Sequence, residues 1–297
     1  MSQTATKIQI YDENLESGIA RGFSPPFTAR RIVLRSAGRR RGPITRLVSP
    51  SDVGELIKPF VFLDHAEVAF TGESLAGIHP HSGIATLTTV LQGGLAYEDT
   101  TGKEGQVRQG GLEWMKAGKG AWHDGGPLEG DPLRVFQLWV ALPEQEELAP
   151  AESQYIATDA VEEDGPVRVI LGQQRVARSR ISAPEGINYF HVRLEDRERW
   201  VYTPPRDHNV AWLAVDRGRL IASEGIEAGE IAVFEESNGP IELRAEGATS
   251  FVIGSATKHP YPLVLGYYSV HTSATALARG EAEIRRIGSR LSTAGRL

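Results

Sequence analysis

Gly77-Ile78-His79-Pro80-His81, answered further along by Gly118-Lys119-Gly120-Ala121-Trp122-His123, is the part of the chain on which its reading turns. Side chains alternate across a β-strand with period two, so His79 and His81 share one face. Pro80 holds the segment extended, because the residue before a proline is pushed out of the helical region. His123, at the end of a later strand, is the expected third member of a cluster of three imidazoles. Imidazoles converging on one point suit iron, copper, nickel or zinc.

Outward from this stretch the pattern is short strands with turn punctuation. Arg31–Arg35, Pro59–Leu63 and Ala85–Leu91 precede a Gly93-Gly94 turn, and Leu112–Met115 leads into the Gly118/Gly120 turn. Val135–Ala141 is apolar on nearly both faces, as a central buried strand is. Pro143–Pro150 is acidic and flanked by prolines, which marks a boundary. Beyond it come Val167–Leu171, Tyr189–Leu194, Val210–Val215, Glu230–Phe234 and Ser250–Ile253. Turn signals recur about every ten residues, the spacing of an all-β sandwich or barrel. Leu277, Ile284, Ile287 and Leu291 fall on one helical face and predict a short C-terminal helix against a barrel. The expected organisation is an N-terminal arm over 1–27, a first barrel over 28–150 and a second barrel with the terminal helix over 151–297.

Composition excludes several classes. A net charge of −6 and an isoelectric point near 5.8 argue against a general nucleic-acid binder. The chain has no cysteine, which removes disulfides and thiolate ligands and suits a reducing cytosol. The N-terminus has no basic region followed by an apolar run, and no apolar stretch approaches the roughly 18 residues of a membrane span. A cytoplasmic protein is expected, with neither nucleic acid nor membrane as partner.

The motifs in order resemble the pirin family of the cupin superfamily. They are His79-Pro80-His81-Ser82-Gly83, a Thr-rich strand ending Leu91-Gln92-Gly93-Gly94, Glu98-Asp99-Thr100-Thr101-Gly102, Gly110 to Gly120 followed by His123, Leu138-Trp139-Val140, and Gly266-Tyr267-Tyr268-Ser269-Val270-His271-Thr272. The resemblance covers most of the chain. It implies a bicupin, two antiparallel jelly-roll β-barrels packed together, with one metal in the N-terminal barrel and none in the second. It also implies His79, His81 and His123 as ligands, Fe2+ as the favoured ion, and Zn, Ni, Cu or a metal-free state as alternatives. Bacterial relatives of this kind oxidise the flavonol quercetin with O2, so a planar aromatic substrate and O2 are expected. Eukaryotic ones bind transcriptional regulators, so a non-catalytic protein with a protein partner is the rival reading. Two family carboxylates are missing here: the ligand glutamate two residues after the third histidine is Gly125, and a further acidic position is Ala85.

Other residues carry weaker signals. Asp124 is the nearest acid in sequence and the only candidate base, yet its side chain alternates away from His123. A bulge at Gly125-Gly126 would be needed to turn it inward. His65, after Asp64, and Trp122 are candidates for the substrate pocket, with strand-end pairing and core packing as the competing roles. His191, His208, His259 and His271 stand apart and predict no second metal site. The seven arginines between Arg30 and Arg46 read as a solvated edge and loop. No Ser/His/Asp arrangement is recognisable, and Gly118-x-Gly120 is no nucleotide loop because no helix pattern follows it.

Overall fold

The computed structural model describes residues 30–70, 77–130 and 132–297, so the expected arm over 1–27 lies outside the described residues. The first half contributes twelve strands and one short helix. They are β1 (Ile32–Ser36), β2 (Arg39–Arg41), β3 (Ile44–Val48), α1 (Val53–Ile57), β4 (Phe60–Val68), β5 (His79–His81), β6 (Ile84–Gln92), β7 (Gly94–Asp99), β8 (Glu104–Arg108), β9 (Leu112–Lys116), β10 (Ala121–Pro127), β11 (Leu133–Ala141) and β12 (Glu152–Ile156). A seven-stranded sheet in the order β12-β9-β6-β11-β4-β3-β2 faces a four-stranded sheet in the order β5-β10-β7-β8. All these pairings are antiparallel.

The double apolarity of Val135–Ala141 has a simple origin. Along β11, Val135, Gln137 and Trp139 point into a cavity between the two sheets. Phe136, Leu138 and Val140 point the other way, into a core shared with Tyr189, Trp212 and Val252 of the second half. The same alternation places Thr88 of β6 in the cavity and Leu87 in the shared core. The centre of the seven-stranded sheet is thus covered on both faces, which is why β6 and β11 have no exposed residue, whereas the edge strand β2 presents three exposed arginines.

The second half is a nine-stranded sheet that includes Val210–Ile221, Ile231–Phe234 and the long strand Ile241–Ala256. Its apolar face closes over Phe190, Phe251, Leu213 and Ile253. Two observations alter the expected boundary at 150. β1 pairs with Ile231–Phe234 and so belongs to the second sheet, while β12 pairs with β9 and completes the first. The terminal helix, α2 (Ala274–Thr293), packs on β5 and β10 and on the adjoining hairpin Val264–Gly266/Ser269–His271. The helix expected against a barrel lies against the first one. No helix among the described residues is long and apolar enough to cross a membrane.

Candidate metal centre

β5 and β10 pair in a register that sets His79 directly opposite His123 and His81 opposite Ala121. Opposed residues on one face of an antiparallel pair bring their side chains together. The ring centroids are 4.6 Å apart for His79–His123, 5.0 Å for His79–His81 and 5.0 Å for His81–His123. One ring nitrogen from each lies within 4.8 Å of the others. His81 and His123 are buried, and His79 half-buried at the cavity.

The other ring nitrogens decide what this cluster is for. His79 Nδ1 lies 2.8 Å from the Gly77 carbonyl and His81 Nδ1 lies 3.2 Å from the Tyr268 carbonyl. A carbonyl only accepts, so both Nδ1 atoms carry the proton and both Nε2 atoms carry a lone pair. His123 Nδ1 lies 3.4 Å from a carboxylate oxygen of Glu113, which imposes the same tautomer. His79 Nε2 and His123 Nε2 then face each other at 3.2 Å with no proton between them. Two nitrogens each about 2.1 Å from one ion, at tetrahedral or octahedral angles, stand about 3.0–3.4 Å apart. Burial pushes His79 down to about 4, helped by the neighbouring His123, and carries His81 well below the ordinary imidazole value. Both rings are neutral at pH 7, the state in which Nε2 can donate to a metal. The donor set fits a single divalent ion bound through three Nε2 atoms.

These nitrogens sit at one end of a cavity of about 310 Å³. Ile44, Ala66, Leu95 and Val135 give it apolar walls, and Thr88, Glu113 and Gln137 line it with polar groups. Phe62 and Trp139 stack with centroids 4.0 Å apart and planes within 8°. Arg46 lies over the Phe62 ring at 3.9 Å and pairs through two nitrogens with the Asp64 carboxylate. Tyr268 closes the histidine end, its ring 5.4 Å from His79. Its φ of 50° lies in the left-handed region that glycine favours, and that turn aims the Tyr268 carbonyl at His81.

The weaker sequence candidates are placed elsewhere. His65 Nε2 lies 3.0 Å from Asp216 Oδ1, in a salt-bridge network with Arg134 that ties the two halves together. Trp122 points out of the cavity, donates from Nε1 to the Ile284 carbonyl and packs under Gly288 of α2. Neither lines the metal cavity, because each sits on the opposite side of its strand from the cavity-facing residues Asp64 and His123. Asp124 accepts from the Gly125 N–H and does not line the cavity, whereas Gly125 does. Sequence reasoning missed Glu113, Gln137, Arg46 and Tyr268. It also missed a buried chain in which Ser82 Oγ lies 3.0 Å from His271 Nε2 and His271 Nδ1 lies 2.9 Å from Glu147. That order is the one found in hydrolase triads. Here Ser82 and His271 are sealed beneath Gly280 of α2, and Ser82 donates to Ser269, so the chain serves as a strut.

The sequence matches the Pirin family over residues 43–140. A pirin-like protein of Caulobacter vibrioides is 31% identical over 196 residues, which are 62% of this chain and 70% of that protein. A Vibrio cholerae protein provisionally named quercetin 2,3-dioxygenase is 32% identical over 204 residues, 63% of this chain and 71% of its own. The chain belongs to the pirin family. Its fold agrees with that assignment. The crystal structure of quercetin 2,3-dioxygenase from Acinetobacter baumannii superposes with a TM-score of 0.80 at 22% identity, covering 87% of this chain and 98% of that one. The Escherichia coli pirin YhhW, solved in complex with nickel(II), superposes with a TM-score of 0.60 at 19% identity, covering 74% and 94%. In this pirin-family chain the fold is a bicupin, and the three-histidine cluster of its first barrel is able to hold a divalent metal.

Proposed function

We propose that this protein is a metal-dependent dioxygenase of the quercetin 2,3-dioxygenase type, with Fe2+ as its ion and a planar hydroxylated aromatic as its substrate. The observation that carries the reading is the convergence of three Nε2 lone pairs on a cavity with both apolar and polar walls. Support for the substrate class comes from the name of the Vibrio cholerae relative. The cavity volume lies at the small end of the usual range for ligand sites. A divalent ion held there supplies Lewis acidity toward a substrate oxygen and, as iron, one-electron chemistry with O2. The protein's own groups do the rest. Trp139, held flat by its stacking on Phe62, offers an aromatic surface to a planar ring. Thr88 and Gln137 give hydroxyl groups hydrogen-bond partners, and the apolar residues exclude water from the reacting end. We place the protein in the cytoplasm, since a chain without cysteine suits a reducing compartment.

The test is O2 consumption with quercetin by protein reconstituted with Fe2+. Turnover that disappears in His79→Ala is the expected result. A protein that holds stoichiometric iron and turns over no flavonol would move the assignment to a metal-containing binding protein.

A further inference from the structure

Five cavity-facing side chains form one row across the seven-stranded sheet. Glu113 of β9 is registered with Thr88 of β6, Thr88 with Gln137 of β11, Gln137 with Asp64 of β4, and Asp64 with Arg46 of β3. The row ends in two different ways. At the β3 side Asp64 is held by the Arg46 guanidinium. At the β9 side Glu113 meets a histidine instead. Its Oε2 accepts from Thr88 Oγ1 at 2.8 Å, and its Oε1 lies 3.4 Å from His123 Nδ1. Thr88 Oγ1 also lies 2.7 Å from the Gln137 side-chain amide. A hydroxyl has a single proton, so with that proton given to Glu113 the Gln137 amide must turn its NH2 to Thr88. The polar side chains therefore point their donors one after another toward Glu113, and Glu113 has its second oxygen left for His123.

Glu113 is 3% exposed. Burying a carboxylate is costly without partners, and this one has been placed on the far side of an imidazole whose other nitrogen faces His79. Of the two carboxylates that line the cavity among the described residues, it is the one not committed to an arginine. On His123's own strand, the position that lines the cavity two residues on is Gly125, which brings no side chain.

We propose that Glu113 is the positioning residue of this metal centre. Its Oε1 accepts a hydrogen bond from His123 Nδ1–H, fixes the tautomer, aims Nε2 at the ion, and sets a negative charge behind the ligand that strengthens it as a donor. This rests on the metal-centre reading above. The role differs from that of a ligand, because the carboxylate acts through His123 and from a different strand.

The experiment uses the full chain, purified without a polyhistidine tag and stripped of metal, with Zn2+ as a redox-silent probe. Affinity is read by competition against a chromogenic chelator for wild type, Glu113→Gln and Glu113→Ala. Glu113→Gln keeps an acceptor for the Thr88 hydroxyl and preserves the fold, which thermal unfolding of the metal-free proteins verifies. Carboxylates behind metal-bound histidines act on a scale of about 10–100-fold in affinity. We expect about a tenfold loss in Glu113→Gln and a larger one in Glu113→Ala. Nitrogen-15 imidazole spectra of the Zn2+-loaded proteins supply a second readout. A protected His123 Nδ1–H is expected in wild type and a rapidly exchanging one in Glu113→Ala. Wild-type binding of Zn2+ with unchanged affinity and an unchanged His123 spectrum in both variants would overturn the proposal and leave the metal centre standing. Wild type that binds no Zn2+ would instead overturn the metal centre, and the proposal with it.

Discussion

At His79 the proton sits on Nδ1 because the Gly77 carbonyl offers only an acceptor, and the same holds at His81 with Tyr268. The residues read as ligands from the sequence are thus prepared by backbone groups that no side-chain pattern reveals. The histidines themselves were legible because period-two alternation puts His79 and His81 on one face whatever the surrounding fold. Glu113 was not, because its approach to His123 depends on how β9, β6 and β10 are arranged in space. Arg46 was hidden for a similar reason: among seven arginines, only the strand's phase turns this one into the cavity. Gly125 can be tested directly. A Cβ built there would stand 3.2 Å from the Ala96 carbonyl oxygen and 3.3 Å from Leu95 Cδ1, so both the Ala96 carbonyl and Leu95 must yield by a few tenths of an ångström. Since Gly125 lines the cavity, Gly125→Glu brings an anionic group toward the ion. Competitive titration should show Fe2+ bound about ten times more tightly, the scale on which single carboxylates near a metal act. A folded variant with no gain would mean that the added carboxylate cannot reach the three nitrogens.

Most strands were visible as elements, since their apolar and β-branched runs are bounded by glycine and proline. Val167–Leu171 has the predicted limits, and Val210–Val215 is the first half of a longer strand, Val210–Ile221. The helical face of the C-terminus was equally clear, with Ile284, Ile287 and Leu291 buried. What that face covers was not, because an apolar stripe does not name its partner. α2 lies close to β5 and β10 through its glycines. A Cβ at Gly280 would stand 2.4 Å from His271 Nε2 and 2.6 Å from Ser82 Oγ, and one at Gly288 would stand 2.7 Å from the Trp122 ring. Ser82 follows His81 directly, and Trp122 precedes His123. Gly280→Ala should therefore cost about 1–3 kcal/mol, as overpacking of a buried contact does, and lower the melting temperature. It should also weaken metal binding by displacing the β5 end. A variant as stable as wild type in calorimetry would show that the helix does not bear on the strut.

For the molecule as a whole, the acidic Pro143–Pro150 stretch does fall between two bodies of strands, but each body borrows a strand across it. β12 closes the first sheet and β1 pairs into the second. Local composition marks a connection, while strand pairing between distant segments leaves no mark in sequence. The halves are further joined by the shared core and by the His65–Asp216 and Arg217–Glu67 pairs. Residues 28–150 and 151–297 made as separate chains should each lack an edge strand and expose the apolar core between them. Neither should give a dispersed amide spectrum alone, and mixing or co-expression should restore one. A well-dispersed spectrum from either fragment by itself would contradict this picture of interlocked barrels.

His79, His81 and His123 are placed to hold one metal ion through their Nε2 atoms. Elemental analysis of protein purified without a polyhistidine tag, after loading with Fe2+ and removal of free metal, tests it most directly when wild type is set beside His79→Ala and His123→Ala. One ion per chain is expected in wild type and a small fraction of that in either variant. Wild type without metal, or variants that retain the full amount, would contradict it.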